Sequence, residues 1–183
     1  MPNTPKILEK RTITRTRFFR VEELDLEFSN GTRARYERLK GGRRGAVLVV
    51  PLLDRETVLL IREYAAGTDR YEVGFPKGRI EDGEEVLEAA NREIMEETGY
   101  GAKHLEQLAT FSVAPGYIGS MTHVVLAGDL YEKRLPGDEP EEIEVIPWRV
   151  DRIDELLRRD DFSEARSIAA LYMTRDHLKS GSE

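Results

Sequence analysis

Apolar residues recur along this chain with two periods, and the periods divide it into elements. Leu24, Leu26 and Phe28 alternate with acidic residues, Ser29-Asn30-Gly31 supplies a turn, and Ala34 and Tyr36 alternate with Arg and Glu, which predicts an antiparallel hairpin. Residues 40–44 form a basic, glycine-containing link, and residues 46–50 and 58–61 are apolar runs of strand length separated by Asp54-Arg55. Between Glu84 and Thr98 the spacing changes: Leu87, Ala90 and Ile94 predict a helix, with Gly99 placed to end it. Residues 108–113, 122–127 and 143–150 predict further strands, and residues 151–159 and 163–178 two closing helices. The order is mixed α/β (α+β). It predicts a β extension over residues 1–44 followed by one main domain over residues 45–183.

Composition narrows the function. The 183 residues are 39% hydrophobic and 34% charged, as expected of a folded globular protein with room for one core. The formal net charge of -7 disfavours binding driven by a nucleic-acid backbone, so no nucleic-acid partner is expected. The absence of cysteine removes disulfides, thiolate zinc sites and thiol nucleophiles, and accords with a reducing, cytoplasmic setting. The first residues lack a continuous apolar signal core and no run approaches the ~18 apolar residues of a membrane helix, so no membrane association is expected.

The chemistry concentrates in GRIEDGEEVLEAANREIMEETGY. Glu93, Glu96 and Glu97 stand at i, i+3 and i+4 and so share one helical face. Like charges at this spacing repel by a few tenths of a kcal/mol per pair, on the order of 0.2–0.5 kcal/mol. Hard divalent cations such as Mg2+ or Mn2+ are natural partners for clustered carboxylate oxygens. An arbitrary E-x-x-E-E cluster is more often a solvated helix face. The register of Gly78, Glu84, Arg92, Glu93, Glu96, Glu97 and Gly99 changes that judgement, because seven such identities coincide by chance on the order of once in 10^8 random starts.

This register resembles the signature of the Nudix hydrolase family, G-x5-E-x7-R-E-U-x-E-E-x-G-U with U aliphatic, except that Tyr100 takes the last aliphatic position. The resemblance implies the Nudix fold, a mixed β-sheet sandwiched between α-helices, and metal held by Glu93, Glu96, Glu97 and the carbonyl of Lys77, with Arg92 orienting the glutamates. In many ADP-ribose-cleaving relatives a loop glutamate outside the helix is the general base. Here the loop is GDEPEE, residues 137–142, and Glu139 is the first choice, ahead of Glu141 and Glu142.

Beyond the signature, VEELDLEFSNGTRARYERL, VLLIREYAAGTDRYEVGFPKG, SVAPGY and GDEPE are similar to the ADP compounds hydrolase branch, over residues 12–178. The similarity implies hydrolysis of ADP-ribose, diadenosine polyphosphates or NADH with release of AMP, and substrate contacts from Arg38, Arg62, Glu63, Pro115 and Tyr117. It also implies a homodimer with exchanged N-terminal strands. Phe75-Pro76-Lys77-Gly78 equally resembles diadenosine-polyphosphate hydrolases, so these substrates are not separated by sequence. Two other functions are weighed against this one: a non-catalytic nucleotide-sensing module, disfavoured by the intact glutamates, and a nucleoside triphosphate pyrophosphohydrolase, disfavoured by the N-terminal hairpin. His104, His123 and His177 have no metal-binding spacing and are assigned no role.

Overall fold

The structure, a computed structural model, describes residues 3–42 and 44–180. Arg43, part of the expected basic link, lies outside them. The chain divides into two compact units, Met1–Gly45 with Ser112–Met121, and Ala46–Phe111 with Thr122–Glu183.

In the first unit β1 (Lys6–Arg15), β2 (Arg20–Glu27) and β3 (Arg33–Leu39) form an antiparallel sheet in the order β1-β2-β3. The expected hairpin is β2–β3, turning at Gly31, whose φ of 80° suits a residue without Cβ. β1 was not anticipated. All its positions are exposed, so it has no apolar alternation to read. It is held by pairing with β2 and by cross-strand ion pairs such as Arg11 with Glu23. The strip Ser112–Met121 closes against β3, where Leu39 N donates to Tyr117 O at 2.8 Å and Gly119 N to Leu39 O at 3.0 Å.

The second unit contains β4 (Ala46–Pro51), β5 (Thr57–Ala65), β6 (Arg70–Gly74), β7 (Lys77–Arg79), α1 (Val86–Glu97), β8 (Tyr100–Ser112), β9 (Met121–Glu132), β10 (Glu144–Arg149), α2 (Ile153–Leu156) and α3 (Ala165–Ser180). Two sheets result, β7-β4-β9-β8 and β10-β5-β6. The parallel pair β4–β9 is the spine of the first, and its residues are apolar on both faces because both are covered. Val47, Val49, Val125 and Ala127 pack with Ala89, Ala90 and Ile94 of α1. Leu48, Val50, Val124 and Leu126 face the other way, into a core shared with Val58 and Leu60 of β5, Phe75, and Ala170 and Leu171 of α3. This is the mixed sheet between helices that the sequence implied.

Several elements differ from expectation. The helix expected over residues 151–159 is a 3-10 turn (Val150–Arg152) followed by the single turn α2. Past Leu156 the next backbone bonds, Arg158 N to Glu155 O at 3.3 Å and Arg159 N to Leu156 O at 3.1 Å, tighten into i→i−3 form and end it. The strand expected over residues 108–113 begins at Tyr100, because Lys103, His104, Glu106 and Gln107 break the apolar pattern without breaking the strand. Short β6 and β7 carry too few alternations to be anticipated. Among the described residues no helix is long and apolar enough to cross a membrane.

Candidate active site

The site is built where α1 packs on β7 within the second unit. Glu85 is the N-cap, and its N–H donates to the Glu88 carboxylate at 3.0 Å, closing the first turn. Glu84, expected inside the helix, lies just before it and accepts from the Glu81 N–H at 3.0 Å. At the other end Thr98 caps the helix and Gly99, with φ of 80°, turns the chain into β8. Ala89, Ala90 and Ile94 bury the apolar side, which fixes the rotation of the helix and turns Glu93 and Glu97 inward.

Glu93 is 7% exposed and Glu97 2%. Both aim at the short strand β7. A Cβ added to Gly78 would lie 2.0 Å from Glu93 Oε1, so the carboxylate occupies the space the glycine leaves. The Lys77 N–H donates to Glu97 Oε2 at 3.1 Å. Phe75 and Pro76 set this approach: Phe75 is fully buried with its N–H donating to Ser167 Oγ at 3.1 Å, and Pro76 O accepts from Val49 N at 2.9 Å.

Arg92 ties the glutamates together. Its Nε and NH2 donate to the Glu84 carboxylate at 2.8 and 3.0 Å, NH2 also reaches Arg79 O at 3.0 Å, and NH1 bridges Glu93 Oε1 at 2.8 Å and Glu96 Oε2 at 2.9 Å. The planar guanidinium fork makes these contacts at once, which a lysine ammonium could not do. The loop before the helix is thereby joined to the helix, and Glu84 is held below the usual carboxylate range by Arg92.

Burial is the main cause that pushes Glu93 up to about 7, with Glu96 and Glu139 adding repulsion against the opposing pull of Arg92. Burial likewise pushes Glu97 up to about 9; Glu63 and Glu93 add to this and Lys77 opposes it. Two carboxylates are thus kept out of water with too little positive charge beside them. Among the described residues no three acidic or imidazole groups already form a cage for a cation, since Arg92 stands between Glu93 and Glu96. Even so, the donors suit a hard divalent cation: carboxylate oxygens from one helical face, with charge that burial leaves uncompensated.

The other residues singled out by sequence fall into four groups. Lys77 and Glu63 meet, Lys77 Nζ donating to Glu63 Oε1 at 2.6 Å beside Glu97. Glu139 comes to α1: a Cβ on Gly137 would lie 2.2 Å from Glu139 Oε2 and 3.9 Å from Glu96 Cβ. Glu139 is half-buried, whereas Glu141 and Glu142 are exposed. Arg62 is engaged within the protein, with Glu144 at 3.2 Å and Asp161 at 3.5 Å, acidic partners that the sequence does not single out. Arg38, Pro115 and Tyr117 belong to the first unit. There Arg38 Nε and NH2 donate to buried Glu22 at 3.1 and 2.8 Å, while Pro115 and Tyr117 are exposed. The Arg62–Asp161 and Tyr71–Glu141 pairings had no signal in sequence, because each joins a strand residue to a loop residue distant in the chain, brought together only by folding.

Comparison with known proteins gives concordant results. A family model described as NUDIX domain matches residues 42–172, and one described as NudE-type Nudix hydrolase N-terminal domain matches residues 5–38. The chain is 49% identical to ADP compounds hydrolase NudE of Escherichia coli (strain K12), over 96% of this chain and 94% of that protein. It is 31% identical to ADP-ribose pyrophosphatase of Bacillus subtilis (strain 168), covering 91% and 92% respectively. A crystal structure of an ADP compounds hydrolase superposes with a TM-score of 0.92 at 48% identity, covering 98% of this chain and 96% of that one.

Proposed function

Because this chain belongs to the Nudix hydrolase family, we propose that it is a divalent-metal-dependent pyrophosphatase that cleaves ADP-containing compounds, among them ADP-ribose, diadenosine polyphosphates and NADH, with release of AMP. The observation that carries this reading is the pair of buried carboxylates, Glu93 and Glu97, facing the Lys77–Gly78 segment and tied to Glu84 and Glu96 through Arg92. The preference for ADP compounds draws on the relatives, which are named for ADP compounds and ADP-ribose and match nearly end to end.

In this reading Glu93, Glu96, Glu97 and the Lys77 carbonyl hold Mg2+, with Mn2+ as a substitute. The cation, when bound, neutralises phosphate oxygens and polarises the attacked phosphorus. Arg92 orients the carboxylates, and Lys77 lies close enough to their side of the helix to meet a phosphate oxygen. Glu139 accepts a proton from the attacking water as its oxygen bonds to phosphorus and the bridging oxygen departs with the second phosphate. Arg38, Arg62, Glu63, Pro115 and Tyr117 are the proposed substrate contacts. For Arg62 this requires exchanging an ion pair with Glu144 or Asp161 for one with phosphate. A homodimer formed through the N-terminal sheet accords with the exposed Ile7, Leu8, Ile13, Phe18 and Phe19 of that unit.

The test is product analysis. Wild type and Glu97→Gln are incubated with Mg2+ or Mn2+ and, separately, ADP-ribose, NADH, diadenosine triphosphate and 8-oxo-dGTP. AMP from the ADP compounds, absent with the variant, is the expected result. Turnover of 8-oxo-dGTP alone would replace this substrate class, and binding of ADP-ribose without turnover would replace the enzyme by a sensor.

A further inference from the structure

The loop that carries Glu139 has no regular structure between β9 and β10, so something must hold it to α1 if that carboxylate is to act. Its first half is fixed by backbone: Lys133 N donates to Gly99 O at 2.9 Å and Leu135 N to Met95 O at 3.1 Å. Its second half is met from the opposite sheet. Tyr71, on β6, donates from its hydroxyl to Glu141 Oε1 at 2.7 Å. Tyr71 is itself braced, its ring packing edge-on against Tyr64 of β5 at 5.8 Å between centroids, and Tyr64 in turn donates to Asp69 at 2.5 Å. Pro140 lies between Glu139 and Glu141. Its ring fixes φ and restricts the residue before it to extended conformations, so a hold on Glu141 is passed to Glu139 with little slack.

We propose that Tyr71 and Glu141 form a latch that positions the Glu139 loop against α1, making both of them positioning residues for hydrolysis. This rests on the reading of Glu139 as the base. Neither latch residue needs to touch the substrate. The latch joins the β10-β5-β6 sheet to the loop that the α1 side already holds at Leu135. Without it the loop is tethered at its two ends only, and the carboxylate spends less time in reach of the attacking water.

The test is steady-state kinetics on the full chain with ADP-ribose and Mg2+, alongside melting temperatures. Tyr71→Phe keeps the ring on Tyr64 and removes the hydroxyl; loss of one solvent-exposed hydrogen bond lowers kcat by about three- to tenfold, with KM and the melting temperature little changed. Glu141→Ala falls equally, the double variant falls no further, and Glu141→Gln, which keeps an acceptor, recovers activity relative to Glu141→Ala. In a Glu139→Gln background Tyr71→Phe has no additional effect. A Tyr71→Phe enzyme with wild-type kcat, or Glu141→Gln as impaired as Glu141→Ala, overturns the latch while a collapsed Glu139→Gln still upholds the base. If Glu139→Gln itself keeps wild-type kcat, the base reading and the latch fall together.

Discussion

Gly78→Ala adds one methyl group to β7 and isolates the seat of Glu93 from every other property of the site. Gly78 is absent from the glycines with positive φ, so alanine meets no left-handed backbone penalty there. The new Cβ would lie 2.0 Å from Glu93 Oε1, 2.1 Å from its carboxyl carbon and 2.2 Å from Oε2. Even a tight contact of 3.0 Å requires the carboxylate to retreat by about 1 Å, and Arg92, already bound to Glu84 and Arg79 O, limits where it can go. A misplacement of about 1 Å in a catalytic constellation costs on the order of 10^2-fold. The expected outcome is therefore a kcat for AMP release from ADP-ribose about 100-fold below wild type at saturating Mg2+, with circular dichroism and melting temperature close to wild type. The apolar contacts of α1 through Ala89, Ala90 and Ile94 are untouched by the change. A folded Gly78→Ala enzyme within about threefold of wild-type kcat, a loss far below the 10^2 expected of misplacement, would refute the argument, since the carboxylate would then have no need of the place it occupies.

Further outcomes follow from the same geometry. Glu97, pushed up to about 9 from 4.5, retains its proton in the folded, metal-free protein at pH values where the unfolded chain has lost it. The contribution of Glu97 to stability in EDTA is therefore greatest below about 4.5 and declines as pH rises towards 9, by at most about 1.4 kcal/mol per pH unit; urea titrations at pH 6, 7 and 8 should show a shallower decline for Glu97→Gln, and parallel curves would exclude Glu97 as the source. Arg92→Lys keeps the charge but loses the fork to Glu84, Glu93 and Glu96, and is expected to lower kcat or Mg2+ affinity by about 10–100-fold, read by activity against Mg2+ concentration. Ser167→Ala removes the acceptor of the buried Phe75 N–H and should destabilise by about 1–3 kcal/mol, read by chemical denaturation.

The legibility of this chain follows the length of its contacts. α1 could be read because its apolar spacing, its terminating Gly99 and its carboxylates all lie within one short segment, where sequence separation maps onto helical faces. β4 and β9 could be read because strands buried on both faces are continuously apolar. β1 could not, as its exposed residues carry no pattern and its stability comes from pairing. The same limit applies to the site. Glu93, Glu96 and Glu97 are fixed by helical periodicity, whereas the meeting of Lys77 with Glu63 depends on how β5 and β7 are placed by two separate sheets. In the loop 137–142 position relative to the following strand puts Glu139 ahead of Glu141 and Glu142, whereas their burial, half-buried for Glu139 and exposed for the other two, is defined only by the fold.

The alternation along β4 has an effect on how this protein can diverge. Val47 and Val49 belong to the core beneath α1, and Leu48 and Val50, their immediate neighbours in the chain, to the core beneath α3. One strand therefore serves as a partition between a compartment whose shape sets carboxylate positions and a compartment whose packing sets overall stability. Substitutions at positions 47 and 49 bear directly on the seat of α1, whereas those at 48 and 50 reach the glutamates only at one remove, through Phe75, with which they share a core. Helix seating and the packing of the opposite core are in this way written on alternate letters of a single six-residue strand.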